Sequence, residues 1–543
     1  MGAITQLLNL WDNPVFQRFR RTQLRLRKAM FWLLATAIIT TFVVSLTYII
    51  QTNIGLTNER AARDLWIPLL VIQGLILLLK GTGRTASGLI QDKIDQTLDY
   101  QRLTPVSPLR NIVGYLFGLP LLEYAMFALT LPHLAFIVIK GHIPLATVGS
   151  VYLALFVCAI FYHMTAIACG MVMKRWILGY LLSIFSVAAL NLMIAPIGSQ
   201  IGLKFMQYLS VFPVIGQKVI PLVAPDSLTR ATPGGEQLFN FADPVPFFDW
   251  TLSPFLFTLM LQSSLIVTFA TMAVRRWQKE SKHSLSKPFA LGILSVFVIL
   301  VIGNVWPIIT RQYLPFSIFG VRSLDVLADY IAVALPLVYS MAIWLLCIFL
   351  FFNTVPSHDS YVRGVRRAHK LNRTAAAIWD DDSGSLIFMI LFVVVALVGF
   401  WIMHTELADA GFVQPLITGD YSAWRLPVVL ACVLLYTLLV LQVLQNRGAV
   451  LTFLLLWLVP ILVAIVATAA MEDLTRFQTI VASLSPLATM VMTGLLPLTA
   501  VVPIDPSEDI AAVHTGFQTG LAFLILQIAF LGWRWRQLQQ TLH

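Results

Sequence analysis

Charged residues are scarce in this chain of 543 residues. Lysine, arginine, aspartate and glutamate make up 11% of it, whereas a soluble domain holds about 25%. Hydrophobic residues make up 58%, and the mean hydropathy is +0.82. Apolar runs recur at about the 20 residues that cross a bilayer, and each must be helical because lipid offers the backbone no hydrogen-bond partner. The sequence therefore predicts an all-α polytopic membrane protein and excludes spans made of strands.

Cysteine is also rare. The chain has four cysteines, all inside apolar runs and none in a CxxC pair, and this excludes a disulfide framework and a zinc site. We expect no cleavable leader either, because the first apolar run, 30–50, is longer than a signal-peptide core and no small-residue cleavage site follows it. We expect this run to remain as a span. The cysteines are Cys158, Cys169, Cys347 and Cys432.

A nucleotide-binding loop and a catalytic constellation are both missing. The glycine-rich segment 81–88 lacks the Gly-Lys-Ser/Thr ending that cradles phosphates, and it adjoins a span rather than following a strand. No paired carboxylates and no His/Asp pair have credible spacing for acid-base chemistry. We therefore expect no enzyme activity, catalytic residue, metal site or cofactor in this chain.

The net charge of +10 does not indicate nucleic acid, because most basic residues flank the spans and orient them with positive loops in the cytoplasm. The densest cluster lies in residues 1–29, where Asn13 and Pro14 form a helix start. We expect a basic amphipathic helix in the inner headgroup layer of the bilayer, although a simple orienting flank fits as well. The N-terminus should then be cytoplasmic, in a cell's inner (plasma) membrane.

About twelve spans can be placed along the chain. They form a first six-span bundle, 30–274, a basic cytoplasmic linker, 275–288, and a second bundle, 289–543. Each bundle has a proline-interrupted apolar stretch before its last span, at 199–253 and 479–505, which we interpret as re-entrant from the outer side. This order fits two six-span halves of equal orientation, and it fits equally one functional half followed by an accessory bundle. The predicted spans are 30–50, 66–87, 111–139, 147–173, 177–198, 254–274, 289–309, 328–352, 386–403, 426–444, 449–470 and 513–533.

One polar insert, 91–108, interrupts the apolar sequence between the second and third spans. Its residues predict an amphipathic helix of about fourteen residues that closes at Thr104-Pro105. Three aspartates at three- and four-residue spacing would share one side of that helix, and Leu98 offers an apolar contact on another side. The aspartates are Asp92, Asp95 and Asp99.

Residues 13–275 resemble the membrane permeases of type-2 ABC exporters. The resemblance rests on the basic N-terminal helix, the order of six spans, the re-entrant region before the sixth span and, above all, the insert. In that family the insert runs from an acidic residue through Gly-Thr-Leu-Glu and Thr-Pro to a Gly-Lys that opens the third span. Gln96 and Tyr115 depart from that Gly and that Lys. The corresponding places hold Asp92 or Asp95, Gln96-Thr97-Leu98-Asp99, Leu103-Thr104-Pro105 and Gly114-Tyr115.

The resemblance implies that the insert is a coupling helix held by a separate cytoplasmic ABC ATPase. The chain would be the permease subunit, and ATP hydrolysis would belong to the partner. If the two halves are not a tandem repeat, two copies would pair as a homodimer to form the pore. The alternative for the insert is a solvated helix that only caps the spans. The residues expected to contact the ATPase are Asp92, Asp95, Thr97, Leu98, Asp99, Leu103 and Thr104.

A few ionisable residues fall inside predicted spans. Glu123, in the third span, would cost about 3 kcal/mol if it were ionised and unpaired at the bilayer centre. It is a candidate polar contact on a substrate path, and equally a partner in a hydrogen bond between helices. The second function considered, an ion-coupled secondary transporter, would need such buried carboxylates. His133 and His163 are expected to be packing residues, and the aspartates at 380–382 form either a second docking surface or a solvated helix start.

Overall fold

The structure, a computed structural model, is almost entirely helical over the residues that it describes, which confirms the all-α polytopic class. Within that part of the chain, eleven helices are long and apolar enough to cross a membrane, and three shorter apolar helices accompany them. This agrees with the prediction of about twelve spans. The described residues are 10–194, 203–223, 245–278, 283–310, 324–356, 358–372, 379–383, 386–410, 424–470, 475–496 and 509–540.

The chain divides into two compact units, Met1–Lys282 and His283–His543. The division falls inside the segment 275–288, which the sequence marks as a basic linker. The equal orientation of two six-span halves stays a prediction.

The first unit begins with a short helix that its own first residues stabilise. The side-chain oxygen of Asn13 accepts hydrogen bonds from the amides of Val15 and Phe16, and Pro14 occupies the first turn. The elements are α1 (Pro14–Gln23), α2 (Leu26–Asn53), α3 (Asn58–Asp64), α4 (Trp66–Gly74), a π-helical segment (Leu75–Lys80), α5 (Gly81–Ile94), α6 (Thr97–Arg102), α7 (Pro108–Gly118), α8 (Leu121–Lys140), α9 (Leu145–Val172), α10 (Trp176–Ala189), a second π turn (Leu190–Ile194), α11 (Phe212–Lys218), α12 (Ile220–Val223) and α13 (Pro254–Gln278), with 3₁₀ turns at Leu10–Asp12 and Lys204–Leu209 and an antiparallel hairpin of β1 (Val245–Phe247) and β2 (Trp250–Leu252).

The second span of this unit is longer than a bilayer is thick. Helices α3, α4 and α5 and the π-helical segment form one run of 37 residues, Asn58–Ile94. Such a run is about 55 Å long at 1.5 Å per residue, against a hydrocarbon core of about 30 Å. Its two ends therefore lie at opposite membrane surfaces. Helix α5 packs against α9 and α10, and α9 packs against α13, so the core of the unit is built around the second, fourth and sixth spans.

The proline-interrupted stretch before the sixth span lies at the end of the unit that holds α3. Helix α11 packs against α9 and α13, and α12 contacts α3. Val214 and Val219 are fully buried there. Residues 195–202 and 224–244, which include parts of the predicted re-entrant region 199–253, lie outside the described residues.

The insert 91–108 differs from the single helix that the sequence predicts. The second span continues as α5 to Ile94, and Gln96 then takes a left-handed conformation with a φ of 56° before the six-residue α6. A left-handed residue ends a right-handed helix, so the three aspartates do not share one helical face. The predicted third span, 111–139, is also broken, because Pro120 has no amide hydrogen to donate and separates α7 from α8.

The second unit is again a helical bundle. Of the predicted re-entrant stretch 479–505, the structure describes residues up to 496 as two short helices. The elements are α14 (Lys287–Ile309), α15 (Leu324–Thr354), α16 (His358–Lys370), α17 (Leu386–Asp409), α18 (Arg425–Phe453), a π turn (Leu454–Leu458), α19 (Val459–Ala470), α20 (Thr475–Ser483), α21 (Pro486–Leu495) and α22 (Asp509–Gln540).

One predicted turn of the second unit is wrong. The sequence predicts spans 426–444 and 449–470 joined by a turn at 445–448, but α18 runs unbroken through that segment. Apolar runs on both sides favour continued helix, and a single glycine such as Gly448 inside a helix costs only about 1 kcal/mol.

Candidate functional site

The insert presents one buried and one exposed leucine. Leu98, on α6, is 2% exposed, whereas Leu103, which directly follows α6, is 85% exposed. Tyr100 is 72% exposed. The short helix therefore has an inner side fixed to the body of the first unit and an outer side that no described residue of that unit covers.

Leu98 belongs to a hydrophobic cluster at this end of the first unit. The other members of this cluster come from α1, α5, α7, α9 and α13, and they include Phe19, Leu89, Tyr115 and Trp277. Burying a leucine side chain stabilises a folded protein by about 1.5–3 kcal/mol. Since α6 has only six residues and would be unstable alone, this side chain is its main anchor.

Four polar side chains beside Leu98, which we call the Asp92 cluster, comprise Arg18, Asp92, Gln101 and Tyr115. Arg18 of α1 forms a hydrogen-bonded ion pair with Asp92 Oδ2 at the end of α5. The Tyr115 hydroxyl, on α7, donates to the same oxygen at 2.7 Å and lies 2.9 Å from the side-chain amide of Gln101 on α6. Only 16% of the Asp92 side chain is exposed, so solvent weakly screens these charge-assisted bonds. The cluster joins α1, α5, α6 and α7.

Helix α1 approaches α7 closely at two glycines. A Cβ on Gly114 would meet the Asn13 side chain at 2.7 Å, and one on Gly118 would meet the Phe19 ring at 2.8 Å. Asn13 Nδ2 also donates to the Arg110 carbonyl at 2.6 Å. The N-terminal helix is therefore part of the assembly that holds the insert.

Two further hydrogen bonds connect the insert to the fourth and sixth spans. Lys93 Nζ donates to the Met171 carbonyl of α9 at 2.7 Å, and Arg102 Nη2 donates to the Arg276 carbonyl of α13 at 3.3 Å. Together with the Asp92 cluster, these bonds connect α6 and the end of α5 to four other helices. A displacement of α6 would therefore be transmitted to several spans at once.

The exposed residues of the insert include Ile94, Asp95, Asp99, Tyr100 and Leu103, and we call these five the outer face. Its three apolar side chains lie among two carboxylates. Asp99 is bonded to Arg102 at 2.7 Å. Exposed apolar side chains rimmed by polar ones are typical of surfaces that bind another protein.

The outer face includes three of the seven residues that the sequence predicts as partner contacts. Two others, Asp92 and Leu98, are corrected: their side chains point into the first unit, because α5 extends further than expected and α6 is a separate helix with its own inner side. Thr97 and Thr104 are half-buried, and the Thr104 hydroxyl donates to the Gln101 carbonyl. Tyr100, which is not among those seven residues, is also exposed.

Replacing Asp92 by asparagine is expected to lower the free energy of unfolding by about 1–3 kcal/mol, because the half-buried Arg18 would lose its charged partner. The matched control is Asp99→Asn, whose more exposed ion pair should contribute less than about 0.5 kcal/mol. Thermal unfolding in detergent measures both variants. Equal effects would contradict the role given to the Asp92 cluster.

Glu123 lies in the first turn of α8 and is almost fully buried. Its Oε1 is 3.5 Å from Lys80 Nζ, so its partner is a lysine rather than the hydroxyl that a simple interhelical bond would provide. Lys80 Nζ also lies 3.8 Å from the centroid of the Trp32 ring and 3.1 Å from Met126 Sδ. The Glu123 Oε2 atom has no hydrogen-bond partner among the described residues. A buried pair of opposite charges with an unbonded oxygen is a polar site within an apolar bundle.

The π-helical segment Leu75–Lys80 places Lys80 beside this carboxylate. Its Leu77 carbonyl lies 3.0 Å from His163 Nε2, and His163 Nδ1 lies 3.0 Å from the Tyr124 hydroxyl. Both ring nitrogens are thus bonded, which agrees with the expectation that His163 is a packing residue. Its packing role is specific, because it binds a carbonyl at a widened helical turn.

The aspartates at 380–382 lie in a short segment that the second unit holds tightly. Lys287 Nζ donates to the Asp380 carbonyl at 2.9 Å and to the Ser383 side chain, and Arg367 lies 3.5 Å from Asp382. Neighbouring cations thus partly neutralise the aspartates, so this segment is a weaker candidate for docking than the insert.

The most distinctive feature of the first unit is an insert that has an exposed apolar face and is hydrogen-bonded to α1, α7, α9 and α13. Comparison of the chain with protein-family models, with curated protein sequences and with solved structures finds no match.

Proposed function

We propose that this chain is the membrane permease subunit of an ABC exporter, driven by a separate cytoplasmic ATPase that binds the outer face of the insert. The observation that carries the proposal is the contrast between Leu98 and Leu103. The first fixes α6 to the bundle, and the second leaves an apolar surface for a partner. A helix held in this way can pass a partner's movement to the spans.

The connections of the insert support this role. The second span continues directly into the insert through α5, and hydrogen bonds join the insert to α1, α7, α9 and α13. The proposal places the insert and the N-terminus in the cytoplasm of a cell with the chain in its inner (plasma) membrane, in accordance with the positive-inside rule. The cargo would follow a path through the bundle, with Glu123 as a polar contact on it.

An ion-coupled secondary transporter is the second candidate, and the Lys80–Glu123 pair favours it. A buried carboxylate beside a lysine can bind or release a proton as the two charges separate. In that case the chain would transport without any ATPase, and the outer face of the insert would have no partner.

Purification of the full chain from its native membrane in mild detergent separates the two functions. The ABC permease proposal predicts that a nucleotide-binding ATPase subunit comes down with the chain, and that vesicles holding both proteins transport cargo only when ATP is present on the insert side. Transport by the chain alone, driven by a proton or sodium gradient without ATP, would reject it in favour of the carrier.

A further inference from the structure

Helix α16 in the second unit is strongly amphipathic and basic. Ser360, Gly364 and Ala368 recur every four residues and form its buried side. Its solvent side carries exposed basic residues over three turns. The exposed basic residues are Arg363, Arg366, Arg367 and Lys370.

Two features place α16 beside the ends of two candidate spans. The span within α15 ends at Thr354, only four residues before α16 begins. The Tyr361 ring packs on Trp535 with centroids 5.4 Å apart, and Trp535 lies in the last turns of the span in α22. Helix α16 therefore lies at the level where two spans leave the bilayer.

The end of α22 extends the basic surface. Arg534 and Arg536 are exposed on either side of Trp535, and Trp533 is exposed beside them. Trp379, in the segment that adjoins α16, is exposed as well. Tryptophan and arginine together at the end of a span are the residues that favour the headgroup layer.

The nearby aspartates at 380–382 do not neutralise this surface. Asp382 lies 3.5 Å from Arg367, and all three aspartates adjoin Lys287, whose ammonium group donates to the Asp380 and Ser383 carbonyls at 2.9 and 3.1 Å. Six exposed cationic side chains on α16 and at the end of α22 thus outnumber the three aspartates of this segment.

We propose that the exposed cations of α16 and of the end of α22 form a binding surface for the phosphate headgroups of anionic phospholipids. The position at the membrane surface and the excess of positive charge select this occupant. Cations near a charged leaflet each gain about 1 kcal/mol from anionic lipid, and a cluster on a short helix beside a span is the usual form of such a surface. This lipid-binding proposal does not depend on the exporter proposal, because it requires only that α16 lies at the membrane surface.

The test uses the full chain in nanodiscs of phosphatidylcholine doped with a photoreactive lipid. The probe is phosphatidylglycerol or phosphatidylcholine with a diazirine at the glycerol end of one acyl chain, and adducts are mapped by mass spectrometry to peptides of α16 and the end of α22. We expect the anionic probe to label these peptides about tenfold more than the neutral probe, and high salt to reduce the difference.

Two variants make the test specific. The variant R366Q/K370Q/R534Q/R536Q should lose most of the preference for the anionic probe, while the charge-conserving variant R366K/K370R/R534K/R536K should keep it. Melting temperature confirms that both variants are folded. An unchanged preference in the glutamine variant overturns the proposal. If that variant also loses a co-purifying soluble protein, the surface is a protein-docking site instead.

Discussion

The double variant Tyr100→Ser/Leu103→Asp is expected to weaken association of the chain with the proposed ATPase while leaving the fold intact. Both side chains lie on the outer face and are more than two-thirds exposed, so the folded chain gains nothing from them. At an interface, loss of an aromatic anchor and burial of an unpaired carboxylate should together weaken binding by at least about 2 kcal/mol, or roughly 30-fold. Co-purification and the ATP-driven transport rate both measure the loss.

The matched control for this variant is Leu145→Asp. Leu145 is an equally exposed leucine at the start of α9, at the opposite end of the first unit from the insert. The control should associate with the ATPase normally. If the double variant associates as well as the wild type does, the outer face is not the docking surface.

Leu98→Ala is expected to destabilise the fold of the insert rather than to remove a contact with the proposed ATPase. Truncation of a buried leucine costs about 2–5 kcal/mol, and α6 has no comparable second anchor within its six residues. We expect a lower melting temperature and faster hydrogen exchange in residues 95–107, with the rest of the first unit less affected.

Leu103→Ala is the control for this effect, because it removes the same atoms from an exposed site and should change stability by less than about 0.5 kcal/mol. Hydrogen exchange followed by mass spectrometry distinguishes the two variants. Equal protection of residues 95–107 in both would mean that Leu98 does not anchor α6.

The contrast between these two leucines could not be predicted from the sequence. A continuous amphipathic helix over 91–108 places residues by a 3.6-residue period, and that period fails once Gln96 becomes left-handed. On such a continuous helix, Leu98 and Leu103 are equivalent candidates for contact with a partner. Nothing in the pattern fixes the conformation of Gln96, because a glutamine takes a positive φ only when its surroundings require it.

The Asp92 cluster could not be predicted from the sequence for a different reason. Arg18 and Asp92 are 74 positions apart, and a contact over that distance depends on how helices pack rather than on local spacing. One residue in the sequence does point to this cluster. Tyr115 stands where the type-2 ABC exporter permeases, which residues 13–275 resemble, have a lysine, and its hydroxyl donates to Asp92. The glycine before it, Gly114, permits the close approach of α1.

The spans were easier to predict, because length and hydropathy decide whether a helix can cross a bilayer. The failure at 445–448 shows the limit of that approach. Four polar or small residues between two apolar runs suggest a turn, yet they are also compatible with a continuous helix, and packing decides between the two. For Lys80 and Glu123, the π-helical segment aligns two residues whose pairing no helical period predicts.

The ABC permease proposal requires the outer face of the insert to lie in the cytoplasm, within reach of a soluble ATPase. Its most direct test is labelling of Leu103→Cys by a membrane-impermeant maleimide, in a chain whose four native cysteines are replaced by alanine, with Ala146→Cys at the opposite end of the first unit as the control. We predict that intact cells label position 146 alone, and that inside-out vesicles label position 103. Labelling of position 103 in intact cells would place the outer face outside the cell and reject the ABC permease proposal.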